Sequence, residues 1–211
     1  MKTRPARPLL IVLSAPSGTG KTTLAGMLLR GFPGMVRSVS CTTRLPRRGE
    51  KNGRDYFFIT EADFSERARR GEFLETARVH NHRYGTPRRM VERSLAKGRD
   101  VLLVIDVRGA GQVRDSAARA GGLLGAAFAD VFLAPPGMRE LERRLKGRGL
   151  NSAADMRVRL ADARREMRAE SKFRYVVVND RLSDAIARLR AIVMAEHCRV
   201  LPGGKALRRP L

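Results

Sequence analysis

The stretch LSAPSGTGKTTL, residues 13–24, decides the fold. It follows the apolar run LLIVL (9–13) without a break. Polar and glycine residues do not extend a buried strand, so the run marks a strand end that receives something anionic. The stretch nearly fits the phosphate-binding pattern G-x-x-x-x-G-K-[ST], with Ala15 where the first glycine stands. Successive backbone N–H groups curl around a phosphate only in a tight loop, which Gly18 and Gly20 permit. The helix expected over 21–30 points its positive end at the same anion. Lys21 then reaches the β- and γ-phosphates of a nucleotide, and Thr22 offers a hydroxyl to Mg²⁺.

Around this loop, composition sets limits. A chain of 211 residues has room for one α/β domain with insertions. No apolar run approaches the ~20 residues of a membrane span, so no membrane partner is expected. The basic, then apolar N-terminus feeds straight into the phosphate loop and reads as a first strand rather than a leader. Two cysteines, Cys41 and Cys198, make no disulfide framework and point to the reducing cytoplasm. The net charge of +22 suits phosphate-bearing substrates. No helix-turn-helix, zinc-finger spacing or aromatic-rich RNA motif accompanies it, so no specific nucleic acid is expected.

The runs at 9–14, 100–106, 129–136 and 174–180 read as buried parallel strands. Helical patterns lie at 21–30, 87–97, 137–146, 153–170 and 182–197. This alternation predicts a doubly wound parallel sheet, with ligands at the carboxyl ends of its strands. The Ala- and Gly-rich 115–130 reads as a helix end and a loose loop. The tail is 198–211, and its LPGGKALRRPL (201–211) reads as frayed. A less helical insertion begins near Ser38, with strands expected in RDYFFIT (54–60) and FLETARVH (73–80) around a helix at 61–70. His80 and His82 share a strand face and read as surface histidines, because no third metal ligand is in view.

Within the insertion, Arg44 and Arg47 lie three apart beside Ser40, Thr42 and Thr43, and Tyr56 follows on a strand. Planar guanidiniums with hydroxyls suit a second phosphate. Arg48, Lys51 and Arg54 read as solvated charges. Thr42, Thr43, Arg44, Arg47, Glu50, Gly53, Tyr56, Phe58 and Ile59, with GEFLE (71–75), YGTP (84–87), IDVRGA (105–110), RLKGRG (144–149) and VVVND (176–180), resemble the guanylate kinase family in order over about 8–197.

That resemblance implies a nucleoside monophosphate kinase-like α/β fold. Its core would be 8–37, 87–136 and 171–197, its small mixed α/β GMP-binding insertion 38–86, and its helical lid about 137–170. It implies transfer of phosphoryl from ATP to GMP with Mg²⁺, by a monomer or homodimer. ATP would contact Ala15, Pro16, Ser17, Gly18, Thr19, Gly20, Lys21, Thr22, Thr23 and Asn179. The GMP phosphate would meet Arg44, Arg47, Tyr56 and Tyr84. Ser40, Glu75 and Thr86 would read guanine. A carboxylate at Glu75 can accept from the ring N–H and the exocyclic amine of guanine, a donor pair adenine lacks. Arg144, Arg148 and Arg159 would serve the transferring phosphoryl, while Arg157, Arg164 and Arg165 read as solvated. Asp106, also assigned to the GMP site, would reach Mg²⁺ through water.

The chain departs from the family at Val104, Arg108 and Leu150, which touch the GMP pocket and lid closure. Two rival readings are a same-fold kinase for another acceptor, such as a sugar phosphate, and a non-catalytic interaction module. The intact SGTGKT and the lid arginines argue against the module, and Glu75 with Ser40 and Thr86 favours GMP.

Overall fold

The computed structural model describes residues 7–79, 81–146 and 153–200. In chain order its elements are β1 (Leu10–Ser14), α1 (Lys21–Gly31), β2 (Met35–Arg37), β3 (Cys41–Thr42), β4 (Phe57–Phe58), α2 (Glu61–Arg69), β5 (Phe73–Val79), β6 (His82–Pro87) and α3 (Arg88–Ala96). Then come β7 (Asp100–Ile105), α4 (Val107–Ala120), α5 (Gly122–Ala127), β8 (Phe128–Ala134), α6 (Met138–Lys146), α7 (Ala153–Met167), β9 (Tyr175–Val178) and α8 (Leu182–Cys198).

Five strands form one parallel sheet in the order β2-β7-β1-β8-β9. All five residues of β1 and all seven of β8 are buried. Strands covered on both faces need apolar residues at every position, which is why these runs do not alternate. The two faces still separate with a period of two. Leu9, Ile11 and Leu13 pack with Leu24 and Leu28 of α1 and Ile186 and Leu189 of α8. Leu10 and Val12 pack on the other side with Val91 and Leu95 of α3 and Val113 of α4. The chain leaves β1 toward β2 on one side of the sheet and leaves β7 toward β8 on the other, so a crevice opens between the ends of β1 and β7. That crevice is where ligands bind in such sheets.

A second, mixed sheet runs β4-β3-β6-β5, with β3 and β4 parallel and the other pairs antiparallel. Phe64 of α2 stacks on Phe73 at 4.7 Å and closes a small core with Cys41.

The segment 115–130, expected as a helix end and a loose loop, has the helix end but α5 and β8 in place of the loop. Its first part completes the fourteen-residue α4, its middle is α5, and its end is already β8. Gly121 and Gly122, at φ 56 and 51, make the break between the helices. Small side chains here pack closely, and Leu124 and Ala127 are buried. The helix expected to 170 stops at Met167, and Glu170–Lys172 forms a 3₁₀ turn. The expectations for His80 and for the tail from 201 lie outside the described residues. Among the described residues no helix is long and apolar enough to cross a membrane.

At the amino ends of the strands, α8 buries Glu196 completely. Its carboxylate accepts from Arg7 at 3.0 Å, Tyr175 at 2.7 Å, Arg199 at 3.3 Å and Arg174 at 3.4 Å. Burial pushes this carboxyl up, but the Tyr175 hydroxyl and the three guanidiniums outweigh it, so it stays below the usual carboxylate range. Glu196→Ala would leave three arginines without their common partner. We predict a loss of about 3–5 kcal/mol in unfolding free energy, as for other broken buried ion pairs. A urea titration showing a change under about 1 kcal/mol, the range of surface pairs, would contradict the assignment.

Candidate active site

The loop after β1 is built on two left-handed glycines, Gly18 at φ 90 and Gly20 at φ 88. A Cβ at Gly18 would meet Leu145 Cδ2 at 2.8 Å, and one at Gly20 would meet Asn179 Nδ2 at 2.7 Å. The loop is therefore braced on both sides and only glycine fits. Asn179 donates to the Thr19 carbonyl at 2.6 Å, and the Thr19 hydroxyl donates to the Pro16 carbonyl at 2.8 Å. Ala15, in place of the first glycine of the pattern, is buried.

Lys21 opens α1, and its Nζ donates to the carbonyls of Ile105 at 3.0 Å and Ala15 at 3.3 Å. Burial lowers its pKa, opposed by Asp106 and Glu166. The ammonium is thus stripped of much of its water and held beside the loop. Thr22 and Thr23 follow it, exposed, in the first turn of α1. Asp106 caps α4, its Oδ1 accepting from the Gly109 amide at 2.7 Å. An exposed hydroxyl at Thr22 and a carboxylate at Asp106 fit a hard cation that keeps most of its ligands as water and phosphate oxygens. Among the described residues no cluster of three or more His, Cys, Asp or Glu could hold a metal by itself.

Glu75 owes its position to an irregularity in β5. Phe73 pairs with Pro87 but Thr76 pairs with Gly85, so β5 carries one residue more than β6 at this point. Such a bulge re-aims side chains, and Phe73, Leu74 and Glu75 are all buried in succession. The Thr86 hydroxyl donates to Glu75 Oε1 at 2.6 Å. A Cβ on Gly109 would stand 3.1 Å from Glu75 Oε2, so α4 closes the other side. Burial pushes the Glu75 carboxyl up to about 7, against the Thr86 hydrogen bond and with help from the negative Asp106.

Across the same sheet, Arg44 meets both oxygens of Glu50 at 2.9 and 3.0 Å and donates to the Leu45 carbonyl at 2.7 Å. Its guanidinium lies 5.5 Å from the Tyr56 ring centroid, and Tyr56 lies 5.8 Å from Tyr84. Arg47 is exposed on the adjoining loop, and its backbone amide donates to Glu50 at 2.7 Å. The structure thus gathers Arg44, Tyr56 and Tyr84, and separately Glu75 and Thr86. Ser40 is half-buried beside β3. On α6, Arg144 donates to Glu140 at 2.7 Å and to the Asn179 carbonyl at 3.0 Å, which ties α6 to the loop brace. Arg159 is exposed on α7. Arg148 lies outside the described residues.

Sequence reading missed Glu166 of α7. Burial raises its pKa and the Lys21 ammonium counters this, so its carboxyl lies in the field of that cation. The sequence carried no signal for it: it shares a helix face with Ala163, three residues earlier, whose burial only the structure shows.

Fold and loop together define a P-loop kinase. The guanylate kinase family model matches residues 7–196, and the chain belongs to that family. It is 48% identical over 186 residues to a guanylate kinase of Dechloromonas aromatica, covering 88% of each chain. It is 43% identical over 191 residues to one of Thermotoga maritima, covering 90% of this chain and 88% of the other. The crystal structure of guanylate kinase from Anaplasma phagocytophilum superposes with a TM-score of 0.69 at 32% identity, over 92% of this chain and 88% of that one.

The Glu75 environment makes a prediction independent of any substrate. Followed by ¹³C NMR, the Glu75 carboxyl should titrate near pH 7. A midpoint in the ordinary range of about 4.3 would mean that water reaches it freely.

Proposed function

We propose that the protein transfers the γ-phosphoryl of ATP to GMP, giving ADP and GDP, in purine nucleotide metabolism. The observation that carries this reading is the buried Glu75–Thr86 pair, closed on its other side by Gly109 of α4. Residues 38–86 form the acceptor-binding unit, about 137–170 the lid, and 8–37, 87–136 and 171–197 the core. Two free cysteines, Cys41 buried and Cys198 exposed, support a cytoplasmic setting. The enzyme acts as a monomer or homodimer.

In this reading the loop from Ala15 to Thr23, braced by Asn179, takes the donor phosphates. Lys21 exchanges its two carbonyl partners for phosphate oxygens and stabilises the charge that grows during transfer. Thr22, with Asp106 through water, would hold Mg²⁺, which neutralises phosphate charge. Arg44 and Arg47, with Tyr56 and Tyr84, take the acceptor phosphate. Glu50 holds the Arg44 fork until that phosphate displaces it. Ser40, Glu75 and Thr86 read the base. Arg144, Arg148 and Arg159 cover the transferring group and exclude water.

The Glu75 carboxylate must accept two hydrogen bonds from guanine, so only its ionised form is competent. With its pKa about 7 in the free protein, the KM for GMP should fall as pH rises from 6 to 8. Glu75→Gln replaces one acceptor by a donor and leaves a guanine N–H facing it. Its kcat/KM for GMP should drop at least about tenfold, and its dependence on pH in this window should shrink to that of the nucleotide phosphate alone. The KM for ATP should stay near wild type. Unaltered GMP kinetics in Glu75→Gln would remove guanine as the base read there and favour another acceptor, such as a sugar phosphate.

Lys21→Ala removes the preorganised cation and should lower kcat about 10²-fold or more. Turnover within a few-fold of wild type would refute the role given to Lys21.

A further inference from the structure

Side chains alternate between the two faces of a strand. Next to Ser40, Tyr56 and Thr86, assigned above to the acceptor pocket, stand Cys41, Phe57 and Pro87. These three line a cavity of about 590 Å³ on the reverse of the four-stranded sheet. Four arginines converge on it, Arg67 and Arg70 from the end of α2 and Arg88 and Arg89 from the start of α3. Two glutamates also line it and offset only part of that charge. Glu92 lies 3.7 Å from Arg88, and Glu72 lies 4.0 Å from Arg70, which also pairs with Glu66. Among the described residues Arg67 and Arg89 make no ion pair.

The start of α3 adds to the same sign. Its N-cap is Pro87, which supplies no capping side chain, and its first turn has no acid. Arginines at the positive end of a helix are unfavourably placed unless an anion sits there. Four guanidiniums from two helices exceed what one phosphate engages, since a fork presents two parallel donors. They suit a chain of phosphates. The volume lies within the range of about 300–1,000 Å³ common to small-molecule sites. Phe57 on the floor and the half-exposed Met90 on the rim offer apolar surface to a ring.

We propose that this cavity is a second anion site, which binds a chain of two or more phosphates, free or carried by a nucleoside. Its place in the fold gives binding a consequence. Phe64 roots α2 in the small core beneath the acceptor sheet, whereas Val91 and Leu95 root α3 in the main core. An anion held by Arg67 and Arg70 on one side and Arg88 and Arg89 on the other spans the joint where β6 passes into α3. It therefore biases how the acceptor sheet stands against the core and shifts the KM for GMP. That coupling rests on the acceptor assignment above, whereas binding itself does not.

The test is calorimetric, on the full chain. The protein is first titrated with a bisubstrate analogue, adenosine and guanosine joined by five phosphates, to fill the active site. This step reports on the proposed function. Tripolyphosphate and GTP are then titrated separately into the filled protein and into Arg67→Ala/Arg89→Ala. Wild type should take up one further equivalent, and the double variant should bind at least about tenfold more weakly, having lost two charged donors. GTP binding more tightly than tripolyphosphate assigns the apolar floor to a nucleoside, and equal binding assigns the site to the phosphate chain alone. The contrast between wild type and variant reports on the cavity whether or not the analogue binds. Neither arginine belongs to the catalytic machinery, so anion-free kcat and KM should match wild type. At saturating ATP the anion should change the KM for GMP at least about twofold more in wild type than in the variant, competition at the active site being common to both. No second binding event in wild type, or equal affinity in the variant, overturns the proposal. A single-stranded oligouridylate that displaces tripolyphosphate and binds more tightly through the same arginines would make the surface a nucleic-acid face and overturn it as well.

Discussion

The arrangement depends on one buried ammonium group. Lys21 sits where desolvation disfavours its charge, and two backbone carbonyls, from Ala15 and Ile105, hold it there. Those carbonyls lie at and just beyond the ends of neighbouring strands, because Ser14 of β1 is in register with Ile105 of β7. The position of Lys21 is therefore set by the pairing of the two central strands. The glycine loop between β1 and α1 follows from the same constraint. A loop that keeps its lysine pointed back at its own strand ends must be tight, and Leu145 and Asn179 leave no space for a side chain at Gly18 or Gly20. A cation kept partly dry is worth more to a phosphate than one in bulk water, because little solvent has to move when charge develops.

The side proposed to take the acceptor is built on a complementary principle. Glu75 is a carboxyl in a place that resists ionisation, with one hydroxyl donor and a negative neighbour, Asp106. Asp106 also acts on Lys21, so one carboxylate at the end of β7 lies in the field of both the cation and the buried acid. Gln112 of α4 holds both backbone groups of Thr76, at 3.0 and 2.9 Å, and ties the acceptor sheet to the helix that Asp106 caps. Burial that raises the cost of an unpaired polar group also makes the choice of partner sharp.

How much of this was legible in the sequence follows from where each feature gets its energy. The strands at β1, β7 and β8 were visible because burial on both faces requires unbroken apolar runs. The loop was visible because a left-handed turn against close neighbours requires glycine. Short strands were harder: β2, of three residues, and β3, of two, are too brief to show a period, and of the strand expected over 54–60 only Phe57 and Phe58 form β4. In α4, glycines at 109 and 111 weakened the helical pattern, yet tertiary packing overrode propensity, and Gly109 is needed beside Glu75. The bulge that buries Glu75 is a property of pairing between β5 and β6, which neither strand shows alone. Family motifs named the site residues, but the Arg44–Glu50 contact, the Asn179 brace and the inward face of Glu166 emerged only in three dimensions.

On the assignment proposed above, Glu75 is neutral in much of the free protein below pH 7 and becomes a carboxylate when it receives guanine. Calorimetry of GMP binding at pH 6.5, in two buffers of different ionisation enthalpy, measures this directly. The difference between wild type and Glu75→Gln isolates the proton from Glu75 from any that belongs to the nucleotide phosphate. That difference should be net release of a substantial fraction of a proton with GMP and none with AMP. Equal proton balance in wild type and Glu75→Gln would contradict it.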